Sequence, residues 1–177
     1  MRLASASLSC KCEQPASSRL RRLLCFLVLF AGLIRLSQAL ELGEHVGPVE
    51  LITLDGRLLT MTNYAERRGT VILFLSARRG AAKEEMRTLS ESSSRLRLRG
   101  ILFVGIFPNA EETSDEMRRF AQSQGLLFPV YRDPDRRAAK QWGASVTPEV
   151  FLLDSDGTLV YRGAVGTTNT PGLASAV

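Results

Sequence analysis

Phe74 to Met86 reads FLSARRGAAKEEM: the end of an uncharged apolar run, a short basic loop, then residues that open a helix. The run itself, Val71 to Ser76 (VILFLS), is short, continuous and partly β-branched, which predicts a central strand buried on both faces. Lys83 to Leu98 follows, with Met86, Leu89 and Leu96 spaced for the inner face of a helix and charges elsewhere. Arg78, Arg79 and Lys83 therefore crowd a helix N-terminus, where a positive charge is unfavourable by roughly 0.3–1 kcal/mol per exposed group.

The same alternation extends outward. Upstream, Val49 to Thr53 and Leu58 to Met61 flank Asp55-Gly56, a dipeptide that favours a hairpin. Downstream, Gly100 separates the helix from Ile101 to Phe107 (ILFVGIF), a second buried strand. Thr113 with Glu116 three residues on is a capping-box signature, opening a helix through Met117, Phe120 and Ala121 to Gly125. Phe128 to Tyr131 reads as a third strand, Asp135 to Trp142 as a short helix ended by Gly143, and Glu149 to Leu153 and Leu159 to Arg162 as strands around the Asp156-Gly157 turn. The order βαβαβ followed by αββ predicts an α/β domain with parallel crossovers first and an antiparallel hairpin last. No internal repeat interrupts it.

The two ends differ from this core. Residues 1–39 combine a Ser- and Arg-containing leader, the uncharged run Leu23 to Ile34 and a small-x-small site at Ser37-Gln38-Ala39, as in a secretory signal. The run is shorter than the roughly 17–25 residues of a spanning helix, so cleavage is expected. A retained membrane anchor at residues 23–34, or a start later than Met1, are the alternatives. The domain is placed at residues 40–165, outside the cytoplasm, periplasmic or secreted, and residues 166–177 form a loose C-terminal tail.

The net charge of +5 belongs to the leader, because Leu40 to Val177 carries 17 basic and 17 acidic residues. Nothing in that balance invokes nucleic acid. All three cysteines, Cys10, Cys12 and Cys25, also precede Leu40, so the domain has no thiolate, disulfide or cysteine metal site of its own. With His45 the only histidine, no metal or cofactor is expected. Asp133, Asp135, Asp154 and Asp156 flank turns or a helix start, where aspartate bonds backbone amides.

From about Gly47 to Val165 the chain resembles a thioredoxin-fold redoxin, of the group that holds the alkyl hydroperoxide reductase and thiol-specific antioxidant proteins and the extracytoplasmic thiol-disulfide oxidoreductases. The resemblance rests on VILFLS, on LRGILFVGIFPNAEETSDEMRRFAQSQGLLFPVYRDPD and on VTPEVFLLDSDGTLVYRG. It implies a central mixed sheet with flanking helices, a cis bond between Thr147 and Pro148, and a reactive cysteine at the helix N-terminus. Counting on from VILFLS, that cysteine position falls on Arg79, and the partner cysteine position within Gly80 to Lys83. Ser76 matches the family's hydroxyl position, while Ile72 stands where a peroxidase has proline. The family's final helix is also lacking after Arg162-Gly163, which leaves an apolar sheet face expected to be open.

Two readings of function follow. One is a cysteine-less binding module that takes a protein or peptide in the groove beside Thr147 and Pro148, with Arg78 and Arg79 in its wall. The other is an active oxidoreductase or peroxide-reducing protein that borrows a thiol from the leader or from a second protein. Arg78 and Arg79 are expected to be screened by Glu84 and Glu85 in a solvated loop, an anion site being the sharper alternative. Trp142 is expected in the core and His45 in solvent.

Overall fold

The computed structural model describes residues 40–62, 67–79 and 82–165. The leader with its apolar run 23–34 and its three cysteines, Gly80, and the tail 166–177 lie outside these residues. Seven strands, β1 Val49–Thr53, β2 Leu58–Met61, β3 Gly69–Phe74, β4 Ile101–Phe107, β5 Val130–Arg132, β6 Glu149–Asp154 and β7 Leu159–Ala164, join three helices, α1 Lys83–Arg97, α2 Ser114–Ser123 and α3 Arg137–Trp142. They form one mixed sheet in the order β2-β1-β5-β4-β3-β6-β7. As the alternation predicts, β3, β4 and β5 run parallel, and β6 and β7 close the sheet as an antiparallel hairpin.

Side-chain alternation along the strands sends two apolar sets to opposite faces. Ile72, Phe74, Val104, Ile106, Phe151 and Leu153 meet Ala138, Ala139 and Trp142 of α3. Val71, Leu73, Leu75, Phe103 and Phe107 meet Met86 and Leu89 of α1 and Met117 and Phe120 of α2. Trp142 is fully buried, edge-on to Phe74 and Phe151 at centroid distances of 6.2 and 5.4 Å. It belongs to the core, and His45 is exposed, as expected.

Helix ends follow local chemistry. Thr113 Oγ1 accepts the Glu116 N–H at 3.2 Å, and the Thr113 N–H donates to Glu116 Oε2 at 2.8 Å, completing the capping box. These bonds to Thr113, ahead of the Arg78 charge, hold the Glu116 carboxyl below its usual range. At α3 the buried Asp133 accepts the Ala139 N–H at 2.9 Å through Oδ2, and its burial pushes its carboxyl up. Asp154 Oδ1 accepts the Asp156 and Thr158 N–H groups at 2.9 Å each, so Asp154 serves its turn as expected, whereas Asp135 pairs with Arg137 at 3.8 Å. Gly157, at φ 81°, supplies the left-handed residue that this hairpin turn requires.

Three features depart from the sequence reading. The central strand begins at Gly69 and ends at Phe74, because Ser76 leaves the ladder for a side-chain partner described below. β5 begins after Pro129, which has no N–H to give and whose carbonyl instead accepts the Gly105 N–H at 2.9 Å. The open apolar sheet face is not found among the described residues: Val150 and Leu152 are 3% and 4% exposed, with Tyr161 half-buried beside them. Tyr161 can lie along its own strand because Gly163 has no side chain; a Cβ there would stand 2.3 Å from the Tyr161 hydroxyl.

Gly105, in the middle of β4, is a place of close approach. A Cβ there would lie 2.9 Å from Val130 Cγ1, 3.0 Å from Leu75 Cδ1 and 3.3 Å from Phe128 Cε2. Gly105→Ala is expected to lower the unfolding free energy by about 1–3 kcal/mol through overpacking, read as an earlier urea midpoint in Trp142 fluorescence. An unchanged midpoint would show that these three neighbours yield freely.

Candidate functional site

The basic loop after β3 is built from inside. Leu75 still donates its N–H to the Ile106 carbonyl at 2.8 Å, then Ser76 turns inward and its hydroxyl donates to Glu112 Oε1 at 2.6 Å. Glu112 lies between β4 and α2, is 2% exposed, and accepts also from the Ala77 N–H at 3.0 Å and from Asn109 Nδ2 at 2.8 Å. Ser76 Oγ in turn accepts the backbone N–H groups of Arg78 at 3.3 Å and Arg79 at 3.0 Å. One buried carboxylate thus holds the loop that presents both arginines, satisfied by neutral donors.

Opposite this loop stands the turn before β6. The Thr147-Pro148 peptide bond is cis, as the resemblance implies. Glu149, 4% exposed, anchors the turn: its Oε2 accepts the Ser145 and Val146 N–H groups at 2.8 and 3.3 Å, and its Oε1 pairs with Arg162 Nε at 2.7 Å. Arg162 also donates to the Gly143 carbonyl and lies 5.0 Å over the Phe151 ring. Between the two loops runs a groove of about 800 Å³ whose wall includes Ser76, Arg78, Arg79, Glu111, Arg136 and Thr147. The AhpC/TSA family's sequence profile matches residues 42–162 of the chain, the whole span that builds this groove.

The chain belongs to the AhpC/TSA family. Among curated relatives, it is 26% identical over 130 residues to a provisionally assigned peroxiredoxin of Mycobacterium tuberculosis, covering 67% of this chain and 81% of that one. It is 23% identical over 134 residues to the thiol-disulfide oxidoreductase ResA of Bacillus thuringiensis, covering 76% of each. Its fold matches a provisionally assigned thiol:disulfide interchange protein, DsbE, of Chlorobium tepidum with a TM-score of 0.63 at 16% identity, over 72% of this chain and 87% of that one. The architecture is the thioredoxin-like fold of an α/β redoxin.

In this AhpC/TSA chain the predicted residues meet as follows. Ser76, Arg78, Arg79 and Thr147 line one groove; Pro148 follows Thr147 directly, and Gly80 lies outside the described residues. The expected screening by Glu84 and Glu85 is corrected. Glu84 is bound to Arg87 one turn along α1, and Arg78 instead pairs with Glu116 at 3.2 Å and Glu111 at 3.8 Å, at the start of α2 and in the segment before it. The i,i+3 spacing of Glu84 and Arg87 makes that local pair geometrically easier than a reach back over the helix end.

Sequence reasoning missed Glu112, Asn109, Arg136, Glu149 and Arg162. For Glu149 a signal existed, because strand alternation places it on the same face as Phe151 and Leu153, which packs against α3. Among the described residues no group of three or more His, Cys, Asp or Glu could hold a metal ion, and no helix is long and apolar enough to cross a membrane.

Proposed function

We propose that this protein is a redox-inactive redoxin, a binding module that takes a protein or peptide segment in the groove beside Thr147 and Pro148. One observation carries the reading: the groove is fully framed by the Ser76–Glu112 and Glu149–Arg162 anchors, yet arginine stands where the resemblance puts the reactive thiol. Two features favour a peptide. Thr147 makes no hydrogen bond through its own backbone among the described residues, and Val146 beside it is exposed. The leader's apolar run and Ser37-Gln38-Ala39 support export, with residues 23–34 as the tether if uncleaved.

The test is dithiol-dependent peroxide and disulfide reduction by the full chain beside its Arg79→Cys variant. The parent is expected to be silent. The variant is expected to gain activity, because a thiolate there would sit by the start of α1. An active parent would overturn the reading and direct attention to Cys10, Cys12, Cys25 or a second protein's thiol. A folded variant whose new thiol is unreactive would show that the groove no longer has a redoxin's geometry.

A further inference from the structure

Among the described residues, two guanidinium groups in the groove have no ion-pair partner. Arg79 comes from the β3–α1 loop and Arg136 from the turn between β5 and α3, and both line the cavity. Neither forms an ion pair among the described residues. The acids around them are engaged elsewhere: Glu111 and Glu116 with Arg78, Glu84 with Arg87, Glu149 with Arg162, and Glu112 inside with Ser76, Ala77 and Asn109. Arg136 moreover holds a left-handed φ of 56°, a conformation that glycine or asparagine adopts more readily, so a charged side chain is kept there against local preference.

We propose that the groove selects an acidic peptide, seating the side-chain carboxylate of an aspartate or a glutamate against Arg79 and Arg136. This rests on the binding-module reading above. Arginine suits the role because its planar fork gives two parallel N–H bonds to a carboxylate. The size of the cavity favours a peptide over a small free anion: about 800 Å³ lies in the range of a drug-sized ligand, and the exposed Val146 adds apolar wall beside the charges.

The experiment uses the full chain and two fluorescein-labelled pools of random nonapeptides, one with Asp or Glu at central positions, the other with Asn or Gln at the same positions. Fluorescence polarisation is expected to show the acidic pool binding about tenfold tighter at low salt. That preference is expected to shrink at high salt and to vanish in the Arg79→Gln, Arg136→Gln double variant, whose folding is checked by Trp142 fluorescence. Equal binding of both pools overturns the acidic selection and leaves the groove reading standing. Binding of neither pool overturns both. Displacement of the acidic pool by inorganic phosphate but not by acetate, at matched ionic strength, overturns the carboxylate and points to a phosphorylated ligand.

Discussion

Trp142→Ala is expected to remove about 3–5 kcal/mol of unfolding free energy, which for a single domain of ordinary stability is a large fraction of the total. The indole is fully buried at the end of α3, where it joins that helix to β3 through Phe74 and to β6 through Phe151. Truncation would leave a cavity between rings held in edge-to-face contact, and the ladders of β3 and β6 behind them give little room for collapse.

Trp142→Phe separates packing from polarity. The buried indole Nε1 has no hydrogen-bond partner among the described residues, so phenylalanine keeps part of the aromatic contact while removing an unsatisfied donor. Its cost is expected near 1 kcal/mol, well below that of alanine. Because Trp142 is the only tryptophan, both variants are followed by far-UV circular dichroism in urea. Equal midpoints for the alanine variant and the parent would mean that α3 does not depend on this side chain.

How far the sequence discloses the molecule depends on the range of the interaction. The capping box of Thr113 and Glu116, the Asp156-Gly157 turn and the apolar run of β4 are local patterns that form where their residues predict, and the run of β3 forms its strand two residues earlier. The site is different. Ser76 and Glu112 are 36 residues apart, and Glu112 in the run Asn109-Ala110-Glu111-Glu112 reads as one more solvated acid until β4 is placed beside β3. The partner of Arg78 was misread for the same reason. Near neighbours in sequence suggested Glu84, whereas parallel pairing of β3 and β4 brings Glu111 and Glu116 alongside. Arg162 became an inward-reaching residue only through the β6–β7 register that sets it opposite Phe151.

Arg162→Met is expected to destabilise the protein by about 3 kcal/mol, the lower end for stripping a buried charge of its partner, because the arginine side chain itself is 26% exposed. The loss has three parts: the 2.7 Å pair with Glu149, the bond to the Gly143 carbonyl, and the stacking on Phe151. The first dominates, since Glu149 would be left inside the fold with only the Ser145 and Val146 N–H groups as partners. Adding Glu149→Gln removes the charge yet keeps an oxygen that can accept those two N–H groups. The double variant is therefore expected to recover about 1–3 kcal/mol relative to Arg162→Met alone. Urea unfolding followed by Trp142 fluorescence reads both steps. If Arg162→Met unfolds at the parent's midpoint, the pair contributes no more than a surface contact, and the wall from Ala144 to Thr147 must be held by its backbone alone. If the double variant is no better than the single, the cost lies in the lost carbonyl bond and ring contact instead. The predicted order, parent above double above single, would show that the groove wall is fixed by a charge pair between the edge strand β7 and its neighbour β6.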